Sequence, residues 1–382
     1  MSEPLGVSII VVNYNNERFL TAAIESALGQ SHPLCEIIVV DDCSTDNSRA
    51  IIASYGDRIK SVFREVNGGQ TAALNSAWPL ARYPILIFLD SDDLLLAHAA
   101  ATFANHWAGA TVKIQGPLVT IDKAGRQLGQ VTPKFPPNLD TEMIRRMLLR
   151  TGDAPLSVGS GQRGFTRDGG FDRETPREMW MDWILEYNAP FYGQMLTIYE
   201  PQACYRIHDS NLYHINSIDP TRFAAERRSF EMKLEYFTGR CRKWGISFDP
   251  SVARNNSLWL LECRLVADKL SRTGDSPVWR TLFRALKVCI NNEISVSKRV
   301  IKAAWLVGVA VSPRAVSLRL IELRFLQAKR PAWFPDSAHY HSQFYCLGSL
   351  VTHGGDVSLT VSSLEPRRPP PPRFRAAASS GC

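Results

Sequence analysis

Residues 7–42 read VSIIVVNYNNERFLTAAIESALGQSHPLCEIIVVDD, and the fold turns on how this stretch changes its period. Val7–Val12 is a largely β-branched run with the length of a fully buried strand. After Asn13-Tyr14-Asn15-Asn16, apolar positions recur at helical spacing over Phe19–Leu28, and Glu36–Val40 is again a strand, ending on Asp41-Asp42. The pattern continues outward. Ser44-Thr45-Asp46 offers capping residues for a helix through Tyr55. Ile59–Arg64 is a weaker strand, Asn67-Gly68-Gly69 opens a helix through about Ala81, and Pro84–Leu89 is a strand entering Asp90-Ser91-Asp92-Asp93. Strands alternating with helices in this way predict an α/β fold, a doubly wound, mostly parallel sheet with helices on both faces. Every polar constellation then sits at the C-terminal end of a strand, where open α/β sheets bind their ligands.

Residues 110–215 alternate short strands, Val112–Gly116 and Thr197–Tyr199, with Gly- and Pro-rich loops, as a sheet extension with a rim would. From Pro220 the period turns helical through Arg222–Arg242, Ser251–Arg272, Pro277–Cys289, Ser295–Val311 and Pro313–Arg330. The expected organisation is therefore a domain over 1–215, a basic helical module over 216–330, and a Pro-rich tail over 331–382 expected to be disordered, as Pro369–Pro372 favours polyproline II.

The 382 residues carry a formal charge of +7 with 45% hydrophobic residues, the profile of a globular protein. The basic excess is local. Residues 222–330 hold 22 basic and 9 acidic side chains, a net +13, against −7 over 1–221. Such a field favours an anionic partner: nucleic acid, a phosphorylated acceptor or an anionic membrane surface. The eight cysteines contain no CxxC pair, which argues against a zinc knuckle or a disulfide framework. Met1–Gly6 lacks a basic region, and Ala303–Val311 is about half of a ~20-residue bilayer span, so the expectation is a cytoplasmic chain without a transmembrane helix.

A dinucleotide enzyme would need a Gly-rich loop after the first strand, and Asn13–Asn16 has no glycine. An aromatic ring flanked by amides suits stacking on a base instead. Asp41-Asp42 supplies acceptor-only carboxylates for a base N–H or a ribose hydroxyl. Asp90-Ser91-Asp92-Asp93 is the strongest signal, because a strand delivers several mutually repelling carboxylates to one point. A divalent cation resolves that repulsion, and hard oxygen ligands favour Mg²⁺ or Mn²⁺.

Val7–Tyr14, Ile37–Ser48, Asn67–Ala77 and Phe88–Asp93 together resemble the nucleotide-sugar-binding half of a family 2 glycosyltransferase with the GT-A fold, and the resemblance extends to about Asn211. It implies a GT-A doubly wound sheet with a C-terminal helical module. It further implies that Tyr14 stacks on the base, that Asp42 reads the base, and that the DxD positions Asp90 and Asp92 serve the ribose and the metal, with Val12, Asn67, Gly69 and Asn75 also binding the donor. Many members carry Arg before the asparagine of the third motif, whereas Leu74 precedes Asn75 here. An inverting transferase also needs a carboxylate base across the cleft. Gly169-Gly170-Phe171-Asp172 with Met181-Asp182-Trp183 resembles the family's acceptor loop and base motif and puts Asp182 in the base position, with Asp172, Glu178 and Glu186 as rivals. Tyr205–Asn211 matches a further segment, in which His208 offers a metal ligand or a diphosphate contact and Arg206 offsets phosphate charge.

The expected activity is inverting, Mn²⁺- or Mg²⁺-dependent transfer of a sugar from a nucleotide-diphosphate donor to a hydroxyl acceptor, a glycan or lipid-linked glycan of cell-surface polysaccharide assembly. The alternatives are an idle nucleotide-sugar-binding protein, against which Asp92 and Asp182 speak, and a nucleic-acid-binding protein. The second would need exposed aromatics among its basic residues, whereas Trp244, Trp259, Trp279 and Trp305 fall in apolar stripes and read as core. Trp305 and Ala303–Val311, flanked by Lys298, Arg299, Lys302 and Arg314, are the expected contact with an anionic membrane at the inner face of the cell membrane.

Overall fold

The computed structural model describes residues 5–155, 161–163, 181–208, 218, 220–270, 278–290 and 296–325, apart from the side chains of 161–163, 181–183, 186, 220 and 222. The chain opens with β1 (Val7–Asn13), α1 (Glu17–Leu28), β2 (Cys35–Asp41), α2 (Ser48–Ser54), β3 (Lys60–Phe63), α3 (Gln70–Ala77) and β4 (Ile85–Asp90). It continues through β5 (Leu94–Leu95), α4 (Ala99–His106), β6 (Thr111–Gln115), β7 (Leu118–Ile121), β8 (Gln127–Thr132), α5 (Thr141–Thr151), β9 (Gly161–Arg163), α6 (Met181–Tyr192), β10 (Gln194–Thr197) and β11 (Ala203–Arg206).

All seven residues of β1 are buried, because the strand is covered on both faces. Ile10 and Val12 point into one core with Ile38, Val40, Leu86 and Phe88, beneath α3, α5 and α6. Val7, Ile9 and Val11 point into the other with Ile37, Val39, Ile85 and Ile87, beneath α1 and α4. The two-residue period of the strands thus sorts one continuous apolar run onto two helical layers.

The main sheet has the order β10-β6-β9-β4-β1-β2-β3. β1 pairs parallel with both β2 and β4, and β2 parallel with β3, so strand order reverses at β1. That reversal opens a crevice outside the C-terminal ends of β1 and β4. The register brings the ends level: Val12 lies opposite both Val40 and Asp90, and Asn13 opposite Asp41. β9 runs antiparallel between β4 and β6. A second sheet, β5-β11-β7-β8, begins directly after the Asp90–Asp93 turn.

The helical region comprises α7 (Pro220–Trp244), α8 (Pro250–Asn256), α9 (Leu258–Leu270), α10 (Val278–Ile290), α11 (Val296–Val311) and α12 (Arg314–Phe325). Phe223 at the start of α7 packs in the core of α9 to α12, whereas Phe237 and Cys241 near its end pack in the core under α6. The continuous helix expected over Ser251–Arg272 breaks at Ser257, which takes an extended backbone while its hydroxyl accepts from Leu260 N at 3.3 Å. A side-chain oxygen that caps a new helix competes with continuation of the old one.

Two expectations are corrected here. Trp279 is not core: it is 53% exposed, whereas Trp259 and Trp305 are buried. Nor does Trp305 offer itself to a membrane. With Leu306, Val309 and Ala310 it fills the core of the helical region, and its Nε1 donates to Leu320 O at 2.7 Å. The flanking cations are also engaged within the protein. Lys302 lies 3.5 Å from the buried Glu262, which Arg324 also meets at 2.9 Å, and Arg299 donates to Ile290 O at 3.0 Å. None of the described helices is long and apolar enough to cross a membrane. The expected tail over 331–382 lies outside the described residues.

Candidate active site

Asp90 ends β4, and Ser91 N donates to Val12 O at 3.1 Å, so the acidic turn is pinned to β1 across the crevice. Ligand oxygens of Asp90, Asp92 and Asp93 lie within 4.8 Å of one another. Each carboxylate is held differently. Gln70, at the start of α3, donates from Nε2 to Asp90 Oδ1 at 2.8 Å. His208 Nε2 lies 3.0 Å from Asp92 Oδ2. Asp93 is buried and accepts from Arg206 N at 2.8 Å. Burial, followed by the neighbouring Asp92 and Asp90 charges, pushes the Asp93 carboxyl well above the usual carboxylate range. A cluster that resists full ionisation, built of hard oxygens with one imidazole beside it, has the donor chemistry of a Mg²⁺ or Mn²⁺ site.

Arg206 at the end of β11 is buried, and its guanidinium turns back on the turn itself. Nε donates to Asp92 O at 2.7 Å and Nη1 to Asp122 O at 3.3 Å, while the guanidinium lies 4.8 Å from the Phe19 ring centroid. Phe19 also packs against His208, with ring centroids 4.8 Å apart. Phe19 therefore seats both partners of the acidic turn. A cleft of about 470 Å³ opens beside them, lined by Asn15, Asn16, Phe19, Thr45, Asp46 and His208.

Tyr14 directly follows β1, at the strand end that opens on the crevice, and is 50% exposed. The loop it begins is tied to the next one: Asn13 Nδ2 donates to Asp41 Oδ2 and Ser44 Oγ, and Thr45 N donates to Asn15 Oδ1. Val12 is part of the buried core, and its carbonyl, not its side chain, faces the acidic turn. Asp42 is 2% exposed and accepts from Arg64 Nε at 2.7 Å, from Gly69 N at 2.7 Å and from Gly68 N at 3.1 Å. It thereby shapes the Asn67–Gly69 loop, where Gly69 takes φ +80°, a conformation that glycine adopts without strain. Asn75 lies five residues beyond Gln70, about 140° round α3. It is exposed and its Oδ1 accepts from Trp78 Nε1 at 3.3 Å, so the structure does not bring it to the carboxylates.

Asp182 stands in the first turn of α6, and its side chain lies outside the described residues, as does that of Glu186; Asp172, Glu178 and the Gly169–Asp172 loop lie outside them altogether. Residues Asp209–Asn211 of the Tyr205 segment do so too. Gln70, Arg64, Asn16, which donates to Ser91 Oγ at 3.0 Å, and Phe19 were not singled out by sequence. Gln70 alone carries a local signal, as a polar side chain directly after the Gly-Gly that starts its helix.

Arg64 also donates to Ala72 O at 2.8 Å and to Ser76 Oγ, joining β3, Asp42 and α3. Arg64→Ala leaves the Asp42 carboxylate buried with only backbone donors, and it should cost about 1–3 kcal/mol in urea unfolding. An unchanged unfolding midpoint would show that the backbone amides alone satisfy Asp42.

Residues 8–162 match the profile of glycosyl transferase family 2. An uncharacterized glycosyltransferase of Nostoc is 30% identical over 260 residues, covering 65% of this chain and 80% of that protein. The teichuronic acid biosynthesis glycosyltransferase TuaG of Bacillus subtilis, itself named as putative, is 43% identical over 90 residues, 23% of this chain and 36% of its own. The Escherichia coli enzyme WfgD, named as a UDP-Glc:α-D-GlcNAc-diphosphoundecaprenol β-1,3-glucosyltransferase, is 40% identical over 93 residues, 24% of this chain and 37% of its own. With four-fifths of a glycosyltransferase matched at 30% identity and the family profile running from β1 into β9, this chain belongs to glycosyl transferase family 2 and is a glycosyltransferase with a GT-A type doubly wound sheet.

Proposed function

We propose that the enzyme moves a sugar, with inversion, from a nucleoside-diphosphate donor to a hydroxyl of a glycan or lipid-linked glycan in polysaccharide assembly. The observation that carries this reading is the meeting of Asp90, Asp92, Asp93 and His208 at the point where strand order reverses. The Tyr14 ring stacks on the base, and Asp42 sets the loop of Asn67 and Gly69 that borders it. Asp90, oriented by Gln70, takes the ribose. Asp92 and His208 hold Mn²⁺ or Mg²⁺, which when bound offsets the charge of the diphosphate and of the leaving group. Arg206 holds the Asp92 carbonyl and so fixes where that carboxylate points. Asp182, at the head of α6, accepts the proton of the acceptor hydroxyl as the oxygen attacks the anomeric carbon and the bond to the nucleoside diphosphate breaks. The name of WfgD supports a lipid-linked glycan acceptor and that of TuaG a role in glycan biosynthesis, each over the quarter of this chain that it matches.

The test is the configuration of the product. An α-linked nucleotide sugar should yield a β-glycoside by proton NMR, and a product with the α configuration would contradict in-line displacement by a single base.

A further inference from the structure

Helices α10 and α11 pack on α9 and on each other, yet each keeps a second apolar stripe away from that core. On α10, Leu282, Ala285, Val288 and Cys289 are buried, while Trp279, Phe283 and Ile290 are 53%, 69% and 59% exposed. Spacings of four and seven residues put these three side chains within about 40° of one another round the helix. On α11, Val296, Val300, Val307 and Val311 repeat the pattern at spacings of four, seven and four, all exposed, with Ala304 among them. The outward side of α11 is thus apolar for about 22 Å. The contact of Arg299 with Ile290 O sets the end of the α10 stripe beside the start of the α11 stripe.

We propose that this two-helix face is an interfacial docking surface for an anionic lipid bilayer, with α10 and α11 lying in the plane of the membrane. Eight exposed apolar side chains in one row on each of two packed helices are too extensive to be scattered surface residues. The chemistry of the surroundings selects the occupant. Lys302 and Arg324 are paired with the buried Glu262, but on α10 Arg280, Arg284 and Lys287 are exposed one step round from the aromatic row, with no acidic residue on that helix. A helix with Trp and Phe on one side and Arg and Lys on the next is built for the headgroup boundary, where the rings enter the acyl region and the cations meet phosphate. A second copy of the chain would bring the same positive surfaces together. Trp279 and Phe283 among exposed cations are also what a single-stranded nucleic acid would stack on, but the exposed valines of α11 offer its bases no partner. Binding to an oligonucleotide in place of phosphatidylglycerol vesicles would overturn the proposal. The proposal relocates lipid contact from Trp305, which is core, to Trp279 and Phe283, and it is independent of the transfer chemistry.

Vesicle co-sedimentation of the full chain tests it, using vesicles of phosphatidylcholine alone and of phosphatidylcholine with phosphatidylglycerol. Binding should rise with phosphatidylglycerol and fall with salt. Phe283→Glu and Val300→Glu, both at exposed positions, should each weaken it tenfold or more with the melting temperature unchanged, since each removes a buried apolar side chain from the bilayer contact. Arg284→Gln and Lys287→Gln should each weaken it about fivefold. Absence of binding to phosphatidylglycerol vesicles at low salt, or binding unchanged in both glutamate variants, would overturn the proposal. So would a dimer in size-exclusion chromatography that Val300→Glu dissociates, because that assigns the face to a second copy. Nucleotide binding of the same variants, read separately, should match the wild type, so failure of the surface and failure of the site are distinct results.

Discussion

Asp92→Asn should lower sugar transfer by about 10³-fold or more while leaving the fold intact. The substitution keeps the size of the side chain and removes one charge from a cluster in which Asp90 and Asp93 already repel it. Asp92 is partly exposed at the turn, and its contact with His208 Nε2 is one that an amide can also make. Folded stability should therefore hold or rise, and the melting temperature without added cation is the control. Loss of turnover with an undisturbed melt assigns Asp92 to the chemistry. A variant that keeps near wild-type turnover in the presence of EDTA would remove both the carboxylate and the cation from the account.

The effect of Asp182→Asn should appear in kcat alone. A positioned general base contributes about 10²–10⁴-fold, so turnover should fall by that factor while donor affinity stays within about twofold. The basis for the split is position: Asp182 stands at the head of α6, while the groups proposed to bind the donor and the cation end or follow β1, β2, β3, β4 and β11. Equal losses of affinity and rate would mark Asp182 as a structural acid, and Glu178 and Asp172 would be tested next.

The parts of the fold legible in the chain are those written locally. β1, β2 and β4 are runs of Ile, Val and Leu long enough to be covered on both faces, and α1 shows its buried stripe at helical spacing, so their alternation could be read directly. β9 could not: Gly161-Gln162-Arg163 has no apolar signature, and it is a strand because Ile85–Ile87 and Lys113–Ile114 offer it edges from either side. The break at Ser257 was hidden because the apolar period runs on through both helices, while the hydroxyl that caps α9 acts over a single turn.

Trp279 shows a limit of periodicity itself. α10 has two apolar stripes, and the sequence does not say which one meets α9. In the candidate site the charged residues were visible but their partners were not. The Asp90–Asp93 cluster declared itself by density of charge, whereas the direction of the Arg206 guanidinium depends on carbonyls of Asp92 and Asp122 and on the ring of Phe19, which only the tertiary fold assembles. Gln70 illustrates the converse: within the same Asn67–Ala77 segment that offered Asn75, the side chain that reaches Asp90 is Gln70, which no spacing marked out.

The central claim is that a nucleoside diphosphate and a divalent cation bind together at the Asp90–Asp93 turn beside His208. The most direct measurement is the melting temperature of the wild type and of Asp92→Asn with UDP, with Mn²⁺, with both, and with UDP and EDTA. Ligands that bind only the native state stabilise it by mass action, about 2.7 kcal/mol at a hundred times the Kd. The account predicts that UDP and Mn²⁺ together raise the wild-type melting temperature by more than the sum of their separate effects, and that this excess vanishes in EDTA and in Asp92→Asn. A UDP-induced rise of the same size in EDTA and in the variant would contradict it.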